Sequence, residues 1–264
     1  MAITTFDGFI AATKQYVSVA KTASRTSIAA AWFSVFDLAG NPGAGTLAGT
    51  STTAGVVPTA ATAGTPAINA FGGGATGYLA QVDFGSSVAS RLKLFDMVFK
   101  AGAYTFNANV TLSAQPSYSA RMPGGVYEDT QIWIEAVTAF TGNLSIAVTY
   151  TNQAGTTART TGTVATGIAP TLGRMIQLPL QAGDSGVQKI ESVVATVSTV
   201  GTFNVLVLRP LWSGRVKIAN DGDVHDLART AMPVVFADSA IVLTVAADST
   251  ATGIPEIELV IANG

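Results

Sequence analysis

Between Gly173 and Trp212 the side chains alternate in a way that suits only extended backbone. Val193, Ala195 and Val197 alternate with Ser192, Val194 and Thr196, which reads as a strand. After a break at Gly201, Phe203/Val205/Val207 and Asn204/Leu206/Leu208 define a second strand whose two faces are both largely apolar. A sheet with one face in water keeps a strict apolar/polar alternation, so a strand apolar on both faces has to lie inside something. The container that fits is a β-sandwich.

The same period-two pattern recurs through the chain. Tyr78, Ala80, Val82 and Phe84 alternate with Leu79, Gln81 and Asp83; Leu92/Leu94 and Phe95/Met97/Phe99 form two faces ending at Ala101-Gly102; Tyr104, Phe106, Ala108 and Val110 share one side. Ile132, Ile134 and Ala136 oppose Gln131, Trp133 and Glu135, and Leu144, Ile146, Val148 and Tyr150 share a face. Thr141-Gly142-Asn143 and Asn152-Gln153-Ala154-Gly155 have the chemistry of turns. After Trp212, Asp221-Gly222 reads as a turn, and Val234–Phe236, Ile241–Val245 and Ile257/Leu259/Ile261 as short strands. Turn signals about every ten residues, with no helical pattern between strands, predict an antiparallel sandwich or jelly roll and exclude βαβ units. The fold class expected is mainly β, with 77–212 as the sandwich and 213–264 completing or flanking it.

Four blocks in this order, LKLFDMVF (92–99), YEDTQIWIEAV (127–137), LSIAVTYTNQAGTTARTT (144–161) and the stretch 173–212, resemble structural proteins of tailed-phage virions, in particular head-decorating β-sandwich proteins. The resemblance covers roughly residues 77–212 and consists of scaffold phrases, with no catalytic motif among them. It implies a non-enzymatic protein on the phage head surface, with the major capsid protein and copies of itself, as a trimer or other closed ring, as partners.

The totals agree with a scaffold. At 264 residues the chain can bury a full core, and with no cysteine it has neither disulfides nor thiolate metal sites nor cysteine nucleophiles. Only 11% of residues are charged against 48% hydrophobic, with a net charge of −2. A surface so poor in charge suits a protein covered by neighbours. Fourteen Lys plus Arg among 16 acids leave no excess for a polyanion, so no nucleic-acid partner is expected. No signal peptide is expected, since the start lacks a basic stretch followed by an unbroken apolar core, and no membrane span, since Gly, Pro or Thr interrupts every long uncharged run.

The N-terminal part reads differently. Thr4 and Asp7 have the spacing of a capping box, and Phe6, Phe9, Ile10, Thr13, Val17 and Ala20 recur at helical spacing, so the pattern predicts a helix over 5–21. A second helix is predicted from Ser24 or Thr26, with Ile28, Ala31, Trp32, Val35 and Phe36 on one stripe, ending at Gly40-Asn41-Pro42. Two roles fit this helical segment of residues 1–40: packing on the body, or docking on another subunit. From Leu38 to Val82 there is no Asp, Glu, Lys or Arg, and 41–76 is rich in Gly, Ala and Thr. It reads either as a flexible linker or as an extended arm on a partner's surface. Phe6, Phe9, Ile10, Trp32, Phe36, Val56, Val57, Ile68 and Phe71 are the candidate interface residues.

Motifs that carry chemistry are few. Gly183-Asp184-Ser185-Gly186 matches the nucleophile site of chymotrypsin-like proteases, but Val187 stands where that family has a glycine, and the one histidine, His225, lies downstream. A turn between Leu180 and Val187 is the expected reading. Gly72-x-Gly74-x-x-Gly77 fits a dinucleotide fingerprint in letters only, because a strand follows it. Asp221, Asp223, His225 and Asp226 are the one dense group of ligating side chains, although position 12 of an EF-hand loop would fall on Met232. Glu128/Asp129/Glu135 and Glu256/Glu258 are carboxylate pairs without a spacing set by sequence, the last two on a wet strand face by alternation, and Tyr127 and Trp133 read as core or rim residues, with stacking on a sugar as the alternative. No cofactor, no catalytic set and no metal is expected. The alternative to a head protein is a neck, tail or host-contact protein with a sugar-binding loop.

Overall fold

The computed structural model describes residues 3, 5–73, 75–142, 145–165, 169–196 and 200–264. In chain order a six-residue helix α1 (Phe6–Ala11) leads into β1 (Thr13–Lys21), then come β2 (Trp32–Ser34), β3 (Gly40–Asn41), β4 (Ser51–Val56), β5 (Gly77–Ser86), β6 (Ser90–Thr105) and β7 (Asn109–Thr111). β8 (Gln131–Ala136), β9 (Ser145–Asn152), β10 (Arg159–Thr160), β11 (Val164–Ala165), β12 (Met175–Leu178), β13 (Val187–Thr196) and β14 (Thr202–Val216) follow. β15 (Asp221–His225), a short α2 (Leu227–Thr230), β16 (Val234–Val235), β17 (Ile241–Ala247) and β18 (Pro255–Asn263) close the chain.

These strands form three sheets, and every pairing is antiparallel. The central sheet runs β12-β8-β14-β6-β17-β2, with β4 also on β6; a second runs β15-β5-β18-β1-β3, with β16 on β5; a third runs β10-β9-β13-β7, with β11 on β9. The long pair β6 and β14 explains why both faces of these sequences are apolar. They pair from Thr105↔Thr202 to Ser90↔Val216, with shifts of register between Phe203 and Val205, Val207 and Leu208, and Pro210 and Trp212. Leu92, Leu94 and Trp212 pack against the second sheet around Val82, Phe84 and Leu259. Further along, Phe99, Ala101, Phe203, Val205 and Val207 pack against the third sheet around Val148, Tyr150 and Val193. The other face carries Phe95, Met97, Leu206 and Leu208, together with Trp133 and Val242. The molecule is a mainly antiparallel β structure whose central sheet carries one partner sheet toward each end.

The charge-free segment covers the remaining face of the central sheet. Leu47 of this segment, with Phe36 from just before it, joins the core with Phe95 and Met97. Lys100 Nζ donates to the Thr46 carbonyl (2.9 Å), Asn204 Nδ2 to that of Leu47 (2.6 Å), and Gly49 N–H to Asn204 Oδ1 (2.9 Å). Small uncharged residues let this backbone approach an apolar sheet without stranding a charge. Residues 46–49 therefore lie on their own chain's central sheet, and Thr65 and Ile68 are buried.

Four local readings differ. The helix predicted over 5–21 ends at Ala11; Thr13–Lys21 is a strand paired with β18 from Thr13↔Asn263 to Ala20↔Glu256, burying Val17 and Val19 on the period of two. The second predicted helix is absent. Its backbone N–H groups at Ser27 and Ala30 donate to Thr250 and Ala247 carbonyls (2.8 and 2.7 Å) rather than to their own turn, and Val35 and Phe36 enter different cores. β6 runs on through Ala101-Gly102 to Thr105, because a glycine at φ 150° passes Asn204 where a Cβ would meet its Oδ1 at 2.3 Å. Asp221-Gly222 belongs to β15, paired with Ser86 and Gly85 of β5; Asn220, at φ 60°, turns the chain just before it. Thr4, Gly74, Asn143, Leu144 and Val197 fall outside the described residues. Among the described residues no helix is long and apolar enough to cross a membrane.

Candidate interaction surfaces

The nine candidate interface residues separate into five places. Phe6 (67% exposed) and Ile10 (60%) stand in water on α1, with Phe9 half-buried beside them. Thr5 Oγ1 caps this helix by accepting from Gly8 N–H (3.0 Å), and Lys14 Nζ closes its other end by donating to the carbonyls of Phe9 (2.9 Å), Ile10 (3.2 Å) and Ala12 (3.0 Å). A hydrophobic turn is thus held rigid while none of its residues is buried. Val56 and Val57 line a groove of about 240 Å³ with Pro58, Ala48, Met97 and Lys100. Phe71 is half-buried against the core that holds Ile68, and Trp32 lies in a separate cleft. Phe36 (5% exposed) and Ile68 (9%) are interior, so neither offers surface to a partner; both were needed to close this chain's own cores.

Asp184 shows what the GDSG segment does. Its carboxylate accepts from Arg159 Nε (2.9 Å), Asn152 Nδ2 (2.7 Å) and the Tyr150 hydroxyl (2.7 Å). The bonded Arg159 guanidinium, then Asn152 and Tyr150, hold it down to about 2. Gly186 lets the chain pass Tyr127, whose carbonyl oxygen would sit 1.9 Å from a Cβ there. Ser185 is exposed in this turn, while His225 is on β15 in a different sheet, so the two do not meet. His225 instead accepts from Trp212 Nε1 at Nδ1 (2.9 Å) and packs edge-on against Phe84 (5.0 Å between ring centroids), and burial lowers its pKa. Its imidazole is a wedge between two sheets.

The other ligating residues also have local work. Asp226 caps α2, accepting from Ala228 (3.1 Å) and Arg229 (3.2 Å) N–H groups, and Asp223 pairs with Arg229 (3.1 Å). No group of three or more His, Cys, Asp or Glu side chains among the described residues could hold a metal ion. Gly77 opens β5, so no helix follows the glycine triplet. Glu135 is buried on the covered face of the central sheet, where Asn204 Nδ2 donates to it (2.8 Å) and burial raises its pKa, whereas Glu128 and Asp129 are exposed. Glu256 and Glu258 share the wet face of β18. Trp133 is 1% exposed, edge-on to Phe95, and Tyr127 packs on Tyr118 (5.7 Å between centroids), so Trp133 is not available to a sugar.

Three surface hollows remain that the sequence did not announce, because each is assembled from distant residues. One, of about 530 Å³, is lined by Gln131, Gln177, Gln181, Asp129 and Asp184. A second, of about 450 Å³, carries Arg91, Lys93, Arg215, Lys217 and Arg229 beside Asp223. A third, of about 270 Å³, carries Asp83, Asp221, Glu256 and Glu258 around Gly85 and Gly222.

No family model and no curated protein matches this sequence. Among solved structures the chain is similar to VP2 of infectious bursal disease virus in a subviral particle, at 11% identity and TM-score 0.24, over 96% of this chain and 80% of that one. It is similar also to the T13 particle of the same virus, at 10% identity and TM-score 0.20, over 96% and 77%. These neighbours are viral capsid structures, and at such TM-scores the likeness carries no argument about fold or function.

Proposed function

We propose that this chain is a non-enzymatic structural protein of a virion: a decoration protein that binds the head surface of a tailed phage, contacts the major capsid protein and copies of itself, and stabilises the shell. The observation that carries the reading is the capped apolar turn of α1, whose Phe6 and Ile10 stand exposed beside half-buried Phe9 on a cross-packed β body. An apolar surface held rigid in water binds without a large ordering cost, which suits a contact made many times over. Low overall charge and the sequence resemblance to head-decorating proteins support the same reading. A protein that binds the assembled shell and not its parts stabilises it by mass action, and many symmetric copies multiply a modest gain per copy.

The test is to add the purified chain to undecorated heads and follow co-sedimentation and the temperature of shell disruption. Binding with a raised disruption temperature supports the proposal. Purified virions that lack this chain by mass spectrometry sink it.

A second reading, a neck, tail or host-contact protein, is favoured by one feature, the amide-rich hollow of Gln131, Gln177 and Gln181, whose groups match sugar hydroxyls. Particle imaging separates them: density over the whole head belongs to the first, density at one vertex to the second.

A further inference from the structure

Two of the hollows are dominated by charges of opposite sign, and each sets like charges against each other. In the basic hollow Arg91 and Arg215 are direct cross-strand partners on β6 and β14, with Lys93 two residues along. β8 pairs with β14 only as far as Leu208, so this end of the long pair opens into the hollow, across from Arg229. In the acidic hollow Asp83 and Glu258 are direct cross-strand partners on β5 and β18, with Glu256 two residues along and Gly85 and Gly222 leaving the floor bare. Like charges directly opposite on a sheet destabilise it. Among the described residues Arg91, Lys93, Lys217, Asp83, Glu256 and Glu258 enter no ion pair; in the basic hollow Arg215 reaches Asp248 only at 3.7 Å, and Asp223 is taken by Arg229.

We infer that the basic hollow is a docking site for the acidic hollow of a second copy of this chain. Five of the 14 Lys plus Arg of the sequence lie in the first, and four carboxylates with no cation line the second. One contact would relieve both repulsions at once. The inference deepens the proposed function, resting on its self-association and naming the surfaces that make it. A contact between unlike patches passes from copy to copy and closes into a ring where the geometry allows.

The experiment is sedimentation of the full-length chain at low salt, comparing wild type, Arg91→Glu/Arg215→Glu, Asp83→Lys/Glu258→Lys, and an equimolar mixture of the two variants. The substituted side chains are at the surface, and circular dichroism confirms that each variant is folded. Wild type is expected to self-associate, and each variant alone to associate at least about tenfold more weakly, since its altered hollow then carries both signs and no longer complements the other hollow. The mixture is expected to recover association, because each variant presents the complement of the other. Raising salt toward about 1 M, where screening acts within about 3 Å, is expected to weaken the wild type. Association of either variant at wild-type strength, or no recovery on mixing, overturns the inference and leaves shell binding standing. A wild type that stays monomeric at every concentration overturns both the inference and the self-association in the proposed function.

Discussion

Asp96 and Arg209 face each other across β6 and β14 at 3.1 Å, in the strip between the two cores on one side of the central sheet. Arg121 reaches the other oxygen of the same carboxylate and the Met97 carbonyl (3.1 Å), and Ser239 Oγ donates to Asp96 Oδ2 (2.9 Å). Burial lowers the pKa of both arginines to about 10. One carboxylate thus holds two guanidiniums that have left water. Asp96→Ala is expected to cost about 3–5 kcal/mol in denaturant unfolding, because it strands both cations. A loss below about 1 kcal/mol, the range of surface pairs, would contradict the assignment.

Asp184 makes stability depend on pH. Its carboxyl is lowered from 3.8 to about 2, first by Arg159, so the folded state holds its proton less tightly than the unfolded chain. The contribution is therefore complete above about 4 and is lost as pH falls toward about 2. Thermal melts of wild type against Asp184→Asn are expected to diverge at neutral pH and converge in that window. Parallel curves would refute it.

Asn204 fastens the charge-free segment through Leu47 and Gly49, and also donates to Glu135 of β8. Asn204→Ala is expected to cost about 2–4 kcal/mol, by about 1–3 kcal/mol for each polar group left unpaired, and to speed proteolysis within 41–77. Unchanged cleavage would show that the segment is held by other contacts.

The GDSG turn separates a structural from a chemical reading by two substitutions. Gly186→Ala forces a Cβ toward the Tyr127 backbone and is expected to destabilise by about 1–3 kcal/mol. Ser185→Ala, at an exposed position, is expected to stay within about 0.5 kcal/mol of wild type. The reverse order would reopen the serine's role.

Phe6→Ser/Ile10→Ser is expected to leave the melting temperature unchanged, since α1 buries nothing, and to abolish binding to undecorated heads. Binding at wild-type strength would move the contact elsewhere.

Period-two alternation alone determined that the chain is an antiparallel β protein, and the two-sided apolar faces of Phe203–Leu208 determined that β14 is interior, because a side chain's face follows from its parity along the strand. Tertiary structure decided the rest. Thr13–Lys21 fits a helical stripe as well as a strand in local spacing, and its choice was made by pairing with β18 at the far end of the chain. Asp96 lies between Phe95 and Met97 in sequence, and nothing local points to Arg121 and Arg209 as its partners. The basic and acidic hollows were illegible for the same reason: Arg91, Arg215 and Arg229 become neighbours only when strands distant in sequence are laid in register, and linear order carries no record of that pairing.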